Sequence, residues 1–465
     1  MSERAASMLE RRYTLLILFA LGLGIRLVVA RNSAGLSFDV GLFREWSDRL
    51  VQRGAAHFYE PGYFADYPPG YLYVLWVLGK MSRLLRGEPP SVAVLKLPAI
   101  VADLGVAMFS SLLAARITPG RSVGRMPLTA AAAAAILLNP ALILVSAVWG
   151  QADSVLALLV LAGIYMLASG PLSLTREMCG VSLLAIAIAT KPQAVLTLPV
   201  LAIVVVRRHL GLGVSGPRAL WSIVARVGLY LVLATAIIVA MFAPFGVGPA
   251  EIPGFYRSAG SVYQFTSLWA FNVWGAVAFY RPDVGPGAVT VGGVAAYYVG
   301  LAAFTVATIA LMVRAWRSLA QRVDANAVAV FGAVAVTCAA FALLTRMHER
   351  YLYLAVAGLA PLVGYGRFRR ALAIMSVFFF LNVHFVYVLS SGSSLRDHAW
   401  TIKPAYHALF GLTKDAWQRK AFSIATAIAC LAIATLGWKW LEQESAAVRA
   451  GTQTTDTEAY AAGEG

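Results

Sequence analysis

The stretch NAVAVFGAVAVTCAAFALLT, residues 326 to 345, contains no charged side chain. A run of about 20 such residues is typical of a transmembrane helix, because a helix of that length crosses the hydrocarbon core of a bilayer. RMHERY, residues 346 to 351, follows at once and places two arginines, a histidine and a glutamate where the apolar run ends. The boundary between the two stretches therefore predicts a membrane span with a polar cluster at one end.

The whole chain repeats this alternation of apolar runs and short polar links. Of its 465 residues, 60% are hydrophobic and 13% are charged, whereas roughly 25% are charged in a typical soluble domain. Helices satisfy every backbone polar group in lipid without closing a barrel. The composition therefore predicts an all-α polytopic membrane protein and excludes a soluble multidomain enzyme. We expect about twelve transmembrane helices, at residues 14–30, 93–115, 128–147, 152–169, 177–190, 192–206, 222–244, 287–313, 326–345, 350–365, 371–390 and 421–439.

The arginine distribution predicts the topology. Residues 67–85, YPPGYLYVLWVLGKMSRLL, are apolar enough to cross the membrane. The positive-inside rule is obeyed only if this segment instead lies in the interface or is re-entrant. One side then holds the N-terminal arginines together with Arg116, Arg121, Arg125, Arg207, Arg208, Arg218, Arg314, Arg317, Arg322, Arg367, Arg369 and Arg370. We therefore expect a multi-pass protein of the cell membrane with both termini in the cytoplasm. These loops explain the net charge of +16 without nucleic acid as a partner.

The same topology defines one domain and a tail. Residues 1–440 are expected to form a single transmembrane domain, in which the first outer loop is 31–92 and the large outer loops are 246–286 and 391–420. We expect the first apolar segment to be retained as a span. Residues 441–465 are small and polar, which predicts a disordered cytoplasmic tail.

Asp39 begins an amphipathic stretch, SFDVGLFREW, in the first outer loop. Phe43, Trp46 and Leu50 follow it at helical spacing and share one face, so we predict an amphipathic helix lying in the membrane interface. Aspartate is a preferred helix N-cap, and a carboxylate at a membrane boundary can also act as a general base. The residues alone leave these two interpretations of Asp39 equally open.

Other polar residues come together on the same expected outer face. Each has a plain alternative: Asp66 a turn, Asp153 a helix cap, and Lys191 a side chain that reaches the interface. Arg346 and Arg350 are four residues apart and would share a helical face, which with His348 suits an anion such as phosphate. An internal ion-pair knot is the alternative there. The full candidate set is Asp39, Asp66, Tyr67, Gln151, Asp153, Lys191, Gln193, Arg346, His348, Glu349 and Arg350.

The order of these motifs resembles the GT-C superfamily of membrane glycosyltransferases. An aspartate in the first outer loop is followed by DYPPGYLY (66–73), LKLPAIVADLGVA (95–107), LLNPALILVSAVWGQADS (137–154), ATKPQAVLTLPVL (189–201) and RMHERYLY (346–353). The resemblance is to the branch with the endoplasmic-reticulum glucosyltransferases that finish the lipid-linked oligosaccharide, and to bacterial mannosyltransferase-like relatives. Where those eukaryotic enzymes have HEK, this chain has His348, Glu349 and Arg350.

The resemblance implies transfer of a hexose, mannose or glucose, from a polyprenyl-phosphate-sugar donor on the non-cytoplasmic face. The acceptor would be a glycolipid, a glycan or a protein. Asp39 would be the catalytic base and the anomeric centre would invert. Lys191, Arg346, His348 and Arg350 would bind the donor phosphate, with Asp66, Tyr67, Gln151, Asp153, Gln193 and Glu349 as supporting residues. No metal or other cofactor is expected, because the scheme needs none and the three cysteines match no ligand spacing.

A polytopic secondary transporter or a lipid or glycolipid flippase is the alternative function. Such a protein would have a similar number of spans and intramembrane charges. Transporters often show an internal repeat and carry polar residues near the midplane in broken helices. No repeat is visible in this sequence and the charges gather at one expected surface, so the sequence favours the glycosyltransferase.

Overall fold

The uncharged stretch of residues 326–345 forms a buried helix. A computed structural model describes residues 3–211, 217–278, 285–390 and 417–461. In it, Asp324 caps the helix Ala325–Leu343 by accepting hydrogen bonds from the backbone N–H groups of Asn326 and Ala327. Nearly every side chain of this helix is buried by other helices. It is therefore a core element of the bundle, not a lipid-facing one.

The described part of the chain is almost entirely helical. Its only strands form two short hairpins, Ser122–Val123 with Met126–Pro127 and Thr290–Val291 with Val294–Ala295. The α-helices are α1 Glu3–Arg31, α2 Ser37–Arg53, α3 Pro69–Arg86, α4 Val92–Ile117, α5 Leu128–Leu137, α6 Pro140–Ile143, α7 Asp153–Ala168, α8 Leu174–Thr190, α9 Leu198–Leu210, α10 Pro217–Phe242, α11 Ile252–Ser261, α12 Gly275–Ala278, α13 Ala296–Ala320, α14 Ala325–Leu343, α15 Tyr353–Leu359, α16 Gly366–Ser390 and α17 Trp417–Ala461.

Eight helices in the described ranges are long and apolar enough to cross a membrane, and a bent pair makes nine. The remaining expected spans correspond to shorter helices: α7 has 16 residues and α8 has 17, and 350–365 is divided between α15 and flanking 3₁₀ turns. The all-α polytopic prediction is confirmed. The count of twelve stays a prediction.

The bent pair lies where a single straight span was expected at 128–147. α5 ends at Leu137, and Asn139 caps α6 by accepting the N–H of Ala141. Pro140 cannot donate a backbone hydrogen bond to the preceding turn, and the two helices meet at 44°. A π-helical turn, Leu144–Trp149, then runs to Gly150, whose φ of 93° ends the segment.

The first outer loop forms two helices that pack against each other. The predicted apolar face of α2 is confirmed, since Phe43, Trp46 and Leu50 are buried. They are covered by protein, because α3 packs on this face and Ser47 donates to the backbone oxygen of Leu75 at 2.8 Å. How α2 and α3 sit relative to a bilayer stays a prediction.

Contacts between loops show which loops lie at the same end of the bundle. Arg121 donates to the carbonyl of Gly364 at 3.4 Å, and Arg208 donates to that of Gly170 at 2.5 Å. Ser169 bonds Asn326 at 2.5 Å. Ser318 bonds Glu442 at 2.7 Å and Glu444 accepts the N–H of Arg367 at 3.1 Å, so these loops lie at the same end. The loops expected in the cytoplasm thus gather at one end, as the positive-inside argument predicts. The opposite end holds the candidate site described below.

The C-terminal boundary predicted at residue 440 falls inside a helix. α17 continues through Ala461, and Leu441 and Ser445 are buried. Arg449 donates to the carbonyl of Arg322 at 2.7 Å. A disordered tail beginning at 441 is therefore wrong at least as far as residue 450, because this part of the helix packs on the loop after α13. The predicted outer loop 391–420 lies mostly outside the described residues.

Candidate functional site

Asp39 is not the N-cap of its helix. The cap position of α2 is Leu36, where no side-chain cap hydrogen bond forms, and Asp39 lies within the first turn. Its Oδ2 accepts a hydrogen bond from the indole Nε1 of Trp149 at 2.7 Å. The capping interpretation is therefore wrong, because the carboxylate is held from outside its own helix. The partner, Trp149, was not among the predicted site residues.

The turn after Trp149 positions two predicted residues. Gly150 adopts a left-handed conformation that glycine accepts without strain, and the side chain of Gln151 is fully buried. The Oε1 atom of Gln151 accepts a hydrogen bond from Tyr67 at 3.2 Å, while its Nε2 atom has no partner. Gln151 and Tyr67 thus meet, and one buried donor remains available.

Asp153 bridges two buried cations. Its Oδ1 pairs with Lys191 Nζ at 2.9 Å, and its Oδ2 lies 3.7 Å from Arg350 Nε. Asp153 does not cap α7, since that helix has no side-chain cap. Nor does Lys191 extend to the membrane surface, because it is 4% exposed. Both plain alternatives are wrong, because an isolated charge at this depth is costly and the two groups pair with each other.

The RMHERY motif supplies the second part of the cluster. Glu349 is buried and its Oε1 accepts from Arg350 at 2.8 Å, while its Oε2 has no hydrogen-bond partner. His348 lies 3.8 Å from Glu349 through Nδ1. The pKa of His348 is below its ordinary value because burial and the neighbouring Arg350 disfavour the charged imidazole. The alternative of an internal ion-pair knot is therefore partly correct, since His348, Glu349 and Arg350 contact one another.

Arg346 lies apart from this cluster. The prediction that it shares a helical face with Arg350 is wrong, because residues 344 to 348 are not helical and Arg346 has φ of 59°. Its backbone N–H bonds the carbonyl of Thr266 at 3.1 Å. Its guanidinium donates to the carbonyl of Gly260 at 2.8 Å and to Gln264 Oε1 at 3.0 Å. Arg346 therefore holds the outer segment 260–266.

Asp66 faces the same cluster from the start of the α3 segment. Its Oδ2 accepts from Tyr263 at 3.3 Å. Burial raises the pKa of Asp66, an effect opposed by His348, Tyr263 and Arg350. The carboxyl group is therefore easier to protonate than an exposed aspartate.

A cavity of about 320 Å³ lies among these residues. Its lining includes Lys191, His348, Arg350, Asp66 and Tyr67. Gln193 also lines it, and its Oε1 is a buried atom without a hydrogen-bond partner. Asp39 does not line the cavity but is joined to it through Trp149, whose ring centroid lies 5.8 Å from the Arg350 guanidinium. Ten of the eleven predicted site residues are thus brought together or connected, and Arg346 is the exception.

The outer segment before α12 contributes residues that the sequence could not assign. Tyr256 and Tyr263 line the cavity, whereas Phe271 and Trp274 are buried in the protein. All four residues belong to the expected outer loop 246–286. Of these four residues, only Tyr256 and Tyr263 line the cavity and could contact a molecule in it.

An apolar groove adjoins the cavity. It has a volume of about 190 Å³ and lies between α8, α9 and α10. Ile188 and Leu198 line the groove, and Tyr256, which lines the cavity, donates to the carbonyl of Ile188 at 3.3 Å. One hydrogen bond therefore links a residue of the cavity to a residue of the groove.

The cluster contains more carboxyl groups than lysine and arginine side chains. Asp39, Asp66, Asp153 and Glu349 surround Lys191 and Arg350. Lys191 Nζ makes one hydrogen bond, and Arg350 Nε makes none, so both cations retain donor capacity toward the cavity. Within the described ranges, no group of three or more His, Cys, Asp or Glu side chains is arranged to hold a metal.

The fold is similar to that of a solved structure, "Crystal Structure of ArnT from Cupriavidus metallidurans bound to Undecaprenyl phosphate". The TM-score is 0.50 at 16% identity, covering 93% of this chain and 77% of that one. The same protein in the apo state gives a TM-score of 0.48 at 16% identity over 92% of this chain and 77% of that one. No family model and no curated protein sequence matches the chain. The structural likeness confirms the expected architecture: this chain has the GT-C fold.

Proposed function

We propose that this protein is a membrane glycosyltransferase that uses a polyprenyl-phosphate sugar as its donor. The observation that carries the proposal is the buried Lys191–Asp153–Arg350 cluster beside a cavity, with donor capacity left on both cations. Buried cations of this kind suit a phosphate, which forms charge-assisted hydrogen bonds with them. The ArnT structure of the same fold is described as bound to undecaprenyl phosphate, which supports a donor of this class.

The donor phosphate would lie against Lys191 and Arg350. Asp153 holds both cations, but its contact with Arg350 Nε is long at 3.7 Å. A phosphate oxygen can therefore bind Arg350 without breaking a close hydrogen bond. His348 would add a donor, and Gln151 has a buried Nε2 donor without a partner. The adjoining groove between α8, α9 and α10 would take the apolar chain.

Asp39 would act as the general base. As the acceptor hydroxyl attacks the anomeric carbon, its proton passes to the carboxylate and a new C–O bond forms. The bond from the anomeric carbon to the phosphate oxygen breaks, and the polyprenyl phosphate leaves with the electron pair. Lys191 and Arg350 stabilise the negative charge that develops on it. A single displacement of this kind inverts the anomeric centre and needs no cofactor in this scheme.

The proposed setting is the cell membrane, with the site on the extracytoplasmic face. The arginine-rich loops lie at the opposite end of the bundle from the cavity, which supports this orientation through the positive-inside rule. We propose a hexose, mannose or glucose, as the sugar and a lipid-linked or cell-envelope molecule as the acceptor. A glycolipid, a glycan and a protein are the acceptor classes to compare.

A panel of donors tests the proposal. Purified protein would be reconstituted in liposomes with polyprenyl-phosphate mannose, glucose or arabinose and a membrane extract as the acceptor source. We expect transfer of a labelled sugar from at least one donor, and its loss in the Lys191→Met/Arg350→Met double variant. No transfer from any donor, together with movement of a labelled lipid between leaflets, would contradict the proposal and favour the flippase.

A further inference from the structure

A second buried charge cluster lies behind the candidate site. Arg26 of α1 and Asp103 of α4 form an ion pair at 2.6 Å, and neither side chain is exposed. This cluster lines none of the cavities described above. A buried ion pair is a weak explanation of stability in itself, so its other contacts matter.

Asp103 accepts hydrogen bonds from two further segments. Its Oδ2 accepts from Ser146 at 2.6 Å, and its Oδ1 accepts from the hydroxyl of Tyr353. Both donors are buried. The two carboxylate oxygens therefore tie together α1, α4, the π-helical turn 144–149 and the start of α15.

Each of the two donors precedes or follows a site residue by three positions. Ser146 lies three residues before Trp149, which holds Asp39. Tyr353 lies three residues after Arg350. Ser146 and Trp149 belong to the same π-helical turn, and Tyr353 directly follows the 3₁₀ turn that contains Arg350. Asp103 therefore bonds both of the segments that carry this pair.

Arg26 secures the other side of the same turn. Its guanidinium donates to the carbonyls of Ile136 at 3.2 Å and Leu137 at 2.7 Å. These carbonyls belong to the end of α5, where the helix breaks before Pro140 and leaves backbone acceptors without intrahelical partners. Arg26 therefore holds the bend from which the π-helical turn continues.

We propose that Asp103 is a positioning residue, which sets the separation of Trp149 and Arg350 and through them the placement of Asp39 against the donor phosphate. The reaction it serves is the proposed function, but the geometric part does not depend on that reaction. Asp103 touches neither the cavity nor any expected substrate. Its effect passes through the hydroxyls of Ser146 and Tyr353.

Two single-atom deletions test the proposal without removing the ion pair. Tyr353→Phe and Ser146→Ala each remove one hydroxyl that bonds Asp103. Ser111→Ala is the matched control, because this residue also lies on α4 and its buried hydroxyl bonds the carbonyls of Ala107 and Thr129, away from the site. Comparable losses of thermal stability are expected in all three variants.

The first readout needs no activity. In protein labelled with nitrogen isotope at tryptophan, the indole N–H signal of Trp149 is assigned by its loss in Trp149→Phe. We expect this signal to shift in Tyr353→Phe and Ser146→Ala and to stay unchanged in Ser111→Ala. An unchanged signal in both test variants would overturn the proposal, even if glycosyl transfer is established.

The second readout is kinetic. Small displacements of catalytic groups lower the rate of the chemical step, so we expect kcat to fall roughly tenfold in Tyr353→Phe with KM for the donor little changed. Equal kcat values in Tyr353→Phe and Ser111→Ala would also overturn the proposal. If no donor supports transfer, the proposed function fails while the indole signal still decides the role of Asp103.

Discussion

The two buried charge clusters differ in how completely their polar atoms are paired. In the Arg26–Asp103 cluster the charged groups are bonded to side chains or backbone carbonyls, and neither Arg26 nor Asp103 lines the cavity beside Lys191 and Arg350. In the Lys191–Asp153–Arg350 cluster, Asp153 Oδ2 and Arg350 Nε are buried without hydrogen-bond partners, and a cavity of about 320 Å³ lies alongside. Burial alone does not distinguish a structural charge from a functional one. Incomplete pairing next to a cavity does.

The largest effect is expected at Asp39, the residue that would take the proton. Asp39→Asn should lower kcat by about 10²- to 10⁴-fold, the usual contribution of a general base. Asp48→Asn on the same helix is the control, since Asp48 pairs with Arg83 away from the cavity. Sugar transfer in reconstituted protein measures both. Equal rates in Asp39→Asn and wild type would exclude Asp39 as the base.

Removing one member of the fully paired cluster should mainly lower the stability of the fold. Arg26→Met leaves Asp103 buried without its cation and should lower the free energy of unfolding by about 3–5 kcal/mol. The double variant Arg26→Met/Asp103→Asn should recover part of that loss, because no buried charge remains. Denaturant unfolding in detergent measures the difference. A double variant less stable than Arg26→Met would contradict the pairing argument.

Removing one member of the incompletely paired cluster should mainly weaken ligand binding. Lys191→Met should weaken the binding of a polyprenyl phosphate by roughly 10- to 100-fold, the loss of one charge-assisted hydrogen bond. Its stability loss should be smaller than that of Arg26→Met, because Asp153 keeps Arg350. Titration with polyprenyl phosphate measures the affinity, with Lys80→Met as an exposed control. A larger stability loss than in Arg26→Met would reverse the comparison.

The pH dependence of binding sharpens the assignment of His348. Its lowered pKa leaves the imidazole neutral at pH 7, and a bound phosphate would favour the protonated form. Binding therefore takes up a proton, and affinity should rise as pH falls from about 7.5 to 6, by at most about tenfold per pH unit for one proton. The phosphate itself also titrates near this range, so the comparison is with His348→Gln. An identical slope in that variant would remove His348 from the phosphate site.

The smallest effect is expected at Arg346, which touches neither cluster. It holds Gly260 and Gln264, and Gly260 lines the cavity. Arg346→Gln should raise the donor KM by about threefold, in keeping with a partly exposed polar contact. Steady-state kinetics measures it. A loss as large as that of Lys191→Met would show that Arg346 reaches the phosphate after all.

Local sequence patterns predicted the fold well and the site in part. Apolar runs predicted the helices, and the helical spacing of Phe43, Trp46 and Leu50 predicted the buried face of α2. Charged residues at the ends of apolar runs, such as Lys191 and Arg350, pointed to the cavity. Trp149 was missed because an indole in an apolar run is indistinguishable from a packing residue until its partner is known.

The error at Arg346 has a different origin. A spacing of four residues implies a shared face only if the backbone between them is helical, and a left-handed residue followed by pairing with the outer segment breaks that condition. Asp103 lies within LKLPAIVADLGVA (95–107), and the sequence pattern predicts no role for it. Its partners lie 77, 43 and 250 positions away in sequence, so no local pattern connects them.

The hydrogen bond from the indole of Trp149 has a stereochemical consequence. It occupies one carboxylate oxygen of Asp39, while the other accepts no hydrogen bond from any described residue. The other oxygen would therefore be the more available one to receive the proton. If Asp39 is the base, an acceptor would be selected by whether its hydroxyl can reach that single oxygen while its carbon skeleton fits elsewhere. The enzyme would then select its acceptor by the direction from which the hydroxyl approaches Asp39 as well as by binding affinity.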